Sequence, residues 1–293
     1  MLSSISTLVL VYFLGAVQVT ENIMNNNDMN ICTIPDLGDN GILGIQIKIP
    51  QSQKIIFQSR EKDIFSAGSV IKVSVLIELY RQIAEEGLDP RSIYQVANEF
   101  RVGGSGILYS LSDQVSLTLL DLAKLMIQVS DNTATNLLIH VLGKEKINDF
   151  MHHIGLKNTC LLQDRISTES LDPLASFSIT TPAEMASIFS HLANESILNP
   201  DACKDILKIL KRSANKNRIC ALLPYRPDIT IHHKTGTLQG VYNDVGLIRF
   251  SHGGFIVSAF TKNVVAPDDP RVPNQAENAI ARITAQIFEQ MDH

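Results

Sequence analysis

The chain has 293 residues, 45% hydrophobic and 19% charged, which suits one large domain or two interleaved lobes and excludes a disordered chain or a coiled coil. Its net charge of −5 gives no broad basic field, so nucleic acid is not expected as a partner. Its four cysteines, Cys32, Cys160, Cys203 and Cys220, form no Cys-x-x-Cys pair and read as small apolar residues; a Cys203–Cys220 disulfide stays open.

Along the chain, residues 1–20 contain an apolar run over 8–17 and read as a signal peptide, with a polar, Asn-rich linker over 21–40. The run is too short for a stable membrane span, so an exported protein is expected. Alternation over 44–49 predicts a half-buried strand, with Ile55-Ile56-Phe57 as its hairpin partner. From Ser69 the period changes: Val70, Val73, Leu76, Ile77, Tyr80 and Ile83 predict a helix buried along one face and stopped at Gly87. Thr118 with Asp121 opens another helix, and residues 133–142 form a further one with Gly143 as its C-cap. Thr181, Pro182 and Glu184 supply an N-cap, a first-turn proline and a third-position carboxylate for a helix over 185–192. Strands over 245–250 and 255–260 are separated by Ser251-His252-Gly253-Gly254, a hairpin signal, and Ala276, Ile280, Ile283 and Ile287 describe a final amphipathic helix.

Strands at both ends around a helical insert predict an α+β (α/β) chain: residues 41–68 and 207–293 as an α/β lobe, 69–206 as an all-α lobe. Adjacent histidines on a strand point to opposite faces, so His232 and His233 cannot chelate together, and no metal is expected at them or at His152-His153.

Three motifs carry the chemistry: Ser69-Val70-Ile71-Lys72, Ser130-Asp131-Asn132 and Lys234-Thr235-Gly236. A lone Ser-x-x-Lys arises about once by chance in a chain of this size; the ordered triple is far more specific. Residues three apart share a helix face, so Lys72 projects beside Ser69 and can act as its base if burial or a nearby cation such as Lys234 lowers its pKa. A helix N-terminus at Ser69 also points N–H groups at an oxyanion. The plainer alternative is a cap serine with a surface lysine. Ser130-Asp131-Asn132 lies between two helices, where Asp131 can serve only as a cap. Lys234, with the Thr235 and Thr237 hydroxyls, offers donors to a carboxylate, and Gly236 removes a side chain where a substrate backbone approaches.

From about Gly41 to its end the chain resembles the class A serine β-lactamases and penicillin-binding serine hydrolases, which share this motif set. The resemblance implies an antiparallel sheet flanked by terminal helices beside an all-α lobe. It also implies a serine hydrolase acting through a covalent acyl-enzyme, with no cofactor, working as a monomer on a β-lactam or a peptidoglycan peptide. Hydrolysis of β-lactams, and so a part in their catabolism and in antibiotic resistance, is the leading reading. A D-Ala-D-Ala carboxypeptidase or penicillin-binding protein, an esterase, or a non-catalytic sensor of β-lactams or muropeptides are the rivals. The implied roles are Ser69 as nucleophile, Lys72 as base and Ser130 as proton shuttle. Asn132 would hold the substrate amide, Lys234, Thr235, Gly236 and Thr237 would line the carboxylate site, and the Thr237 and Ser69 N–H groups would form the oxyanion hole. The sequence departs from the class A pattern at the Arg-x-Glu-Pro glutamate, where Ser167 stands and Glu169 follows. It also lacks the arginine often found soon after Lys-Thr-Gly, with Asn243-Asp244 near that place.

Overall fold

The computed structural model describes residues 35, 37–38, 40–167, 176–267, 272 and 274–292. The expected signal peptide, Cys32 and Glu169 lie outside the described residues.

Strands β1 (Ile42–Lys48) and β2 (Ile55–Ser59) form the expected hairpin. After the short β3 (Phe65–Ser66), a 3-10 turn over Gly68–Ile71 leads into α1 (Lys72–Glu85). Ser69 therefore sits in the turn, and the α-helix proper begins at Lys72. Short strands β4 (Ile93–Gln95) and β5 (Ser116–Thr118) pair and deliver the chain to α2 (Leu119–Gln128), where the Thr118 side chain accepts the Asp121 N–H. Asp131 caps α3 (Asn132–Leu142) by accepting the Ala134 N–H, and Gly143 ends it at φ +87° before α4 (Lys144–His153). Strands β6 (Cys160–Leu161) and β7 (Ser178–Thr180) join β3 in a small sheet. Next come α5 (Pro182–Ala193), capped by Thr181 with Pro182 in its first turn, and α6 (Pro200–Leu210), capped by Asn199. The meander β8 (Thr230–Leu238), β9 (Val241–Phe250) and β10 (Gly253–Lys262) then runs into α7 (Gln275–Met291).

The main sheet is antiparallel in the order β2-β1-β10-β9-β8, which leaves β8 at an edge. One face of it closes on the helical core, centred on Val73, Leu76, Met126, Leu138 and Phe189. The other face packs on α7 through Ile45, Ile47, Val257, Ile280, Ile283 and Ile287. Each large aliphatic side chain buried in these layers contributes roughly 1.5–3 kcal/mol.

Two sequence expectations need correction. β1 alternates but is not half-buried: its middle five residues are all buried, Gln46 included, because the sheet is covered on both sides. Gln46 meets this by donating to Gln58 Oε1 at 3.2 Å, and Gly44 leaves the space that the Phe65 ring fills. Similarly, α1 is not buried along one face alone; residues 72–80 are buried all round, since the helix runs through the middle of the helical core.

Candidate active site

The turn carrying Ser69 is pressed against the strand carrying Lys234. A Cβ on Gly236 would lie 2.7 Å from Ala67 O and 3.1 Å from Ser69 N, so only glycine permits this approach of β8 to the turn. A Cβ on Gly68 would lie 3.6 Å from Thr237 N, so the turn before Ser69 and the strand at Thr237 stand side by side. Asn243 of β9 fixes the arrangement from below: its Nδ2 donates to Ser66 O (2.9 Å) and Ala67 O (3.2 Å), and its Oδ1 accepts from Thr261 N.

Two buried lysines converge on Ser130. Lys72 Nζ lies 2.7 Å from Ser130 O, 2.8 Å from Asn132 Oδ1 and 3.2 Å from Ser130 Oγ. Lys234 Nζ lies 3.1 Å from the same Ser130 Oγ and donates to Thr235 O at 2.8 Å. Burial holds the Lys72 pKa well below that of a free lysine, the Lys234 charge lowers it further and Asp131 opposes both. Burial brings Lys234 down to about 7, with Asp244 opposing and Arg218 assisting the shift. A neutral Lys72 has two N–H donors and one lone pair. Two of its neighbours are pure acceptors, so the lone pair is left for the Ser130 hydroxyl or an adjacent donor. Ser130 adopts φ +56°, a left-handed conformation unusual for a residue with a side chain, between the end of α2 and the start of α3.

The loop over 103–108 closes the site against α3. The Asp131 carboxylate, fully buried, accepts from Ala134 N (2.9 Å), Ile107 N (2.7 Å) and Leu108 N (2.9 Å), so it clamps this loop as well as capping α3. Asn132 Nδ2 donates to Gly103 O at 2.9 Å. Asn136, one turn further on, bonds both backbone groups of Ile166, at 2.7 and 3.0 Å, and so anchors the segment ending at the exposed Ser167.

The pleat of β8 divides its residues. His232, Lys234 and Gly236 face the helices: His232 Nδ1 meets Leu207 O of α6 at 2.8 Å and burial lowers its pKa to about 4. His233, Thr235 and Thr237 face the other way. There lies the residue that sequence reading missed. Arg218, 1% exposed, donates to Gly236 O (3.1 Å), Asn243 O (2.7 Å), Thr237 Oγ1 (2.7 Å) and Glu277 Oε1 of α7 (3.0 Å). A guanidinium thus does stand at the end of the motif strand, supplied by the segment after α6 rather than by β9. Only a lone arginine in a loop marked it in the sequence.

The arrangement offers a serine hydroxyl at a helix start, an amine whose pKa burial lowers, a second hydroxyl between two amines and a cationic strand edge, which together suit acyl transfer. The sequence model of the beta-lactamase enzyme family matches residues 37–291. Among solved structures, a β-lactamase from Sphaerobacter thermophilus DSM 20745 superposes with a TM-score of 0.79 at 29% identity, over 87% of this chain and 93% of that one. A variant of PBP-A, as an acyl-enzyme complex with penicillin G, gives 0.74 at 23% identity, over 87% and 92% of the two chains. An ancestral class A β-lactamase gives 0.75 at 22%, over 85% and 94%. No curated protein matches the chain. With a family match across nearly its whole length and the antiparallel α+β fold of its structural neighbours, the chain belongs to the beta-lactamase enzyme family and is a serine β-lactamase-like hydrolase.

Proposed function

We propose that the protein opens β-lactam rings through an acyl-enzyme on Ser69. The observation that carries this reading is the meeting of Lys72 and Lys234 at the Ser130 hydroxyl. Neutral Lys72 takes the Ser69 proton as Oγ bonds to the lactam carbonyl carbon. The oxyanion is received by the N–H groups of Ser69 and Thr237. As the C–N bond breaks, the ring nitrogen takes the Ser130 proton, and Lys72 returns the Ser69 proton to Ser130. Lys234 with the Thr235 and Thr237 hydroxyls receives the substrate carboxylate, Arg218 holding Thr237 Oγ1 from behind, while Asn132 holds its amide. Water then hydrolyses the ester, releasing the ring-opened acid and restoring Ser69. In this reading the protein works as a monomer, exported by its N-terminal apolar run.

A second reading has one observation in its favour: Ser167 occupies the position of the glutamate that activates water in class A enzymes. Acylation without efficient release would make the protein a penicillin-binding D-Ala-D-Ala peptidase. PBP-A, of the same fold, has been captured as an acyl-enzyme with penicillin G.

Intact mass during incubation with benzylpenicillin separates the two. A transient adduct with accumulating penicilloate is expected, and Ser69→Ala should abolish both. A persistent adduct would favour the peptidase reading; full turnover by Ser69→Ala would refute both.

A further inference from the structure

The face of β8 turned away from Ser130 holds a second group of reactive side chains that acyl transfer leaves unused. His233 is fully buried; its Nδ1 lies 3.0 and 3.2 Å from the two carboxylate oxygens of Asp244. Its Nε2 lies 3.4 Å from Cys220 Sγ and 3.3 Å from Lys216 Nζ. These partners select the tautomer. A carboxylate at Nδ1 calls for an N–H there, which leaves the Nε2 lone pair facing a thiol and an ammonium. Asp244 is itself held by the Ile219 N–H at 3.1 Å. Cys220 is a free, half-buried thiol, whereas Cys203 is fully buried and its Sγ meets only a backbone carbonyl, Leu198 O, at 3.7 Å.

We propose that Cys220 is a modification site for small disulfides, with His233 as its base and Asp244 orienting the imidazole. As Cys220 Sγ attacks one sulfur of R–S–S–R, its proton passes to Nε2. The Cys220–S–S–R bond forms, the original S–S bond breaks, and the departing R–S⁻ takes the proton from Nε2 as R–SH. The thiol is oxidised to a mixed disulfide and the reagent is reduced, so no further oxidant enters. Burial first, then Asp244, push the Cys220 thiol up to about 12, with Lys216 opposing. With the thiolate so disfavoured at neutral pH, attack calls for a base in contact with the sulfur, and Nε2 of His233 lies there. The flanking N–H groups of Ile219 and Ala221 are given to Asp244 and to Arg218 O, so neither is free to receive an oxyanion. An adduct would sit two residues from Arg218, which bonds Gly236 and Thr237 at the edge of the site.

The test is exposure of the folded full chain to 2-hydroxyethyl disulfide, a neutral probe that Lys216 and Arg218 do not attract by charge, followed by peptide mapping of the mixed disulfides. Cys220 is expected to be modified at least tenfold faster than Cys203 or Cys160, reversibly on reduction. Equal or slower modification of Cys220 overturns the proposal and needs no variant. In a folded His233→Gln protein the Cys220 rate should fall at least tenfold; an unchanged rate would also overturn it.

Discussion

The two faces of β8 carry side chains of similar polarity in opposite employment. Toward the helices, Lys234 shares a hydroxyl with Lys72 and Gly236 lets Ser69 approach. Away from them, His233 and Thr237 are bound to Asp244 and Arg218, which tie the strand to the preceding segment and to Glu277 of α7. Both faces bury charge. On the first, charge lies next to a second amine and lowers its pKa; on the second, the Arg218 guanidinium is matched by Glu277 and holds geometry. The period of two in a strand thus sets Lys234 among the groups of the helical lobe and its neighbour His233 among the supports behind the strand.

The sharpest way to break this division is Lys72→Ala, which should slow acylation by benzylpenicillin about 10²–10⁴-fold in stopped-flow single turnovers. An effect under tenfold would place the base elsewhere. Arg218→Ala should act through structure instead. It leaves Glu277 and two carbonyl oxygens without their partner and should lower unfolding stability by about 3 kcal/mol in urea titration, with KM rising more than kcat falls. Were kcat to fall as far as in Lys72→Ala, the second face would belong to the chemistry. Gly236→Ala forces a Cβ to within 2.7 Å of Ala67 O and should cost roughly 1–3 kcal/mol, visible as a lower urea midpoint.

The pH dependence discriminates more finely. Lys234, with its pKa lowered to about 7, loses its charge as pH rises through that value. The advantage of benzylpenicillin over its methyl ester in kcat/KM should therefore shrink above about pH 7; a constant ratio would remove Lys234 from carboxylate capture. For stability the sign is opposite. Between about 7 and the ordinary 10.5 the unfolded chain holds a proton that the folded state has shed, so this group makes the fold more stable as pH rises across that window. Below it both states carry the proton and the penalty is constant. The smallest expected effect is that of Cys220→Ser, which should leave the acylation rate within about twofold of wild type while ending modification by disulfides.

The sequence was most legible where one local rule decides the outcome. Thr118, Asp131 and Thr181 cap their helices as their spacing with acidic or small residues predicts, and the hairpin signal over 251–254 does join β9 to β10, the turn itself being Ser251-His252 with Gly253 and Gly254 already in the strand. The motif residues were legible as types, and Ser130 with both lysines does come together, although no local rule reveals the left-handed Ser130 that sets its hydroxyl between them. Burial was misread for β1 and α1 because an alternating or periodic stripe reports one covering layer, and here a second layer covers the other side. Arg218 stayed invisible because its four partners come from β8, β9 and α7, a convergence that only tertiary folding creates. Gly236 was read as making room for a substrate; that it also makes room for the protein's own backbone at Ala67 and Ser69 was not legible, because that approach joins segments far apart in sequence.

The strand order has a consequence for how the chain comes into being. β1, near the start of the described chain, finds its inner neighbour in β10, pairing Ile42 with Lys262, and β8 acquires its supports only once α7 brings Glu277 to Arg218. Contacts of such long sequence separation are slow to form. A nascent chain on the ribosome has no complete five-stranded sheet until β10, ending at Lys262, has emerged. Synthesis from the N-terminus therefore places assembly of the motif strand among the last steps of folding.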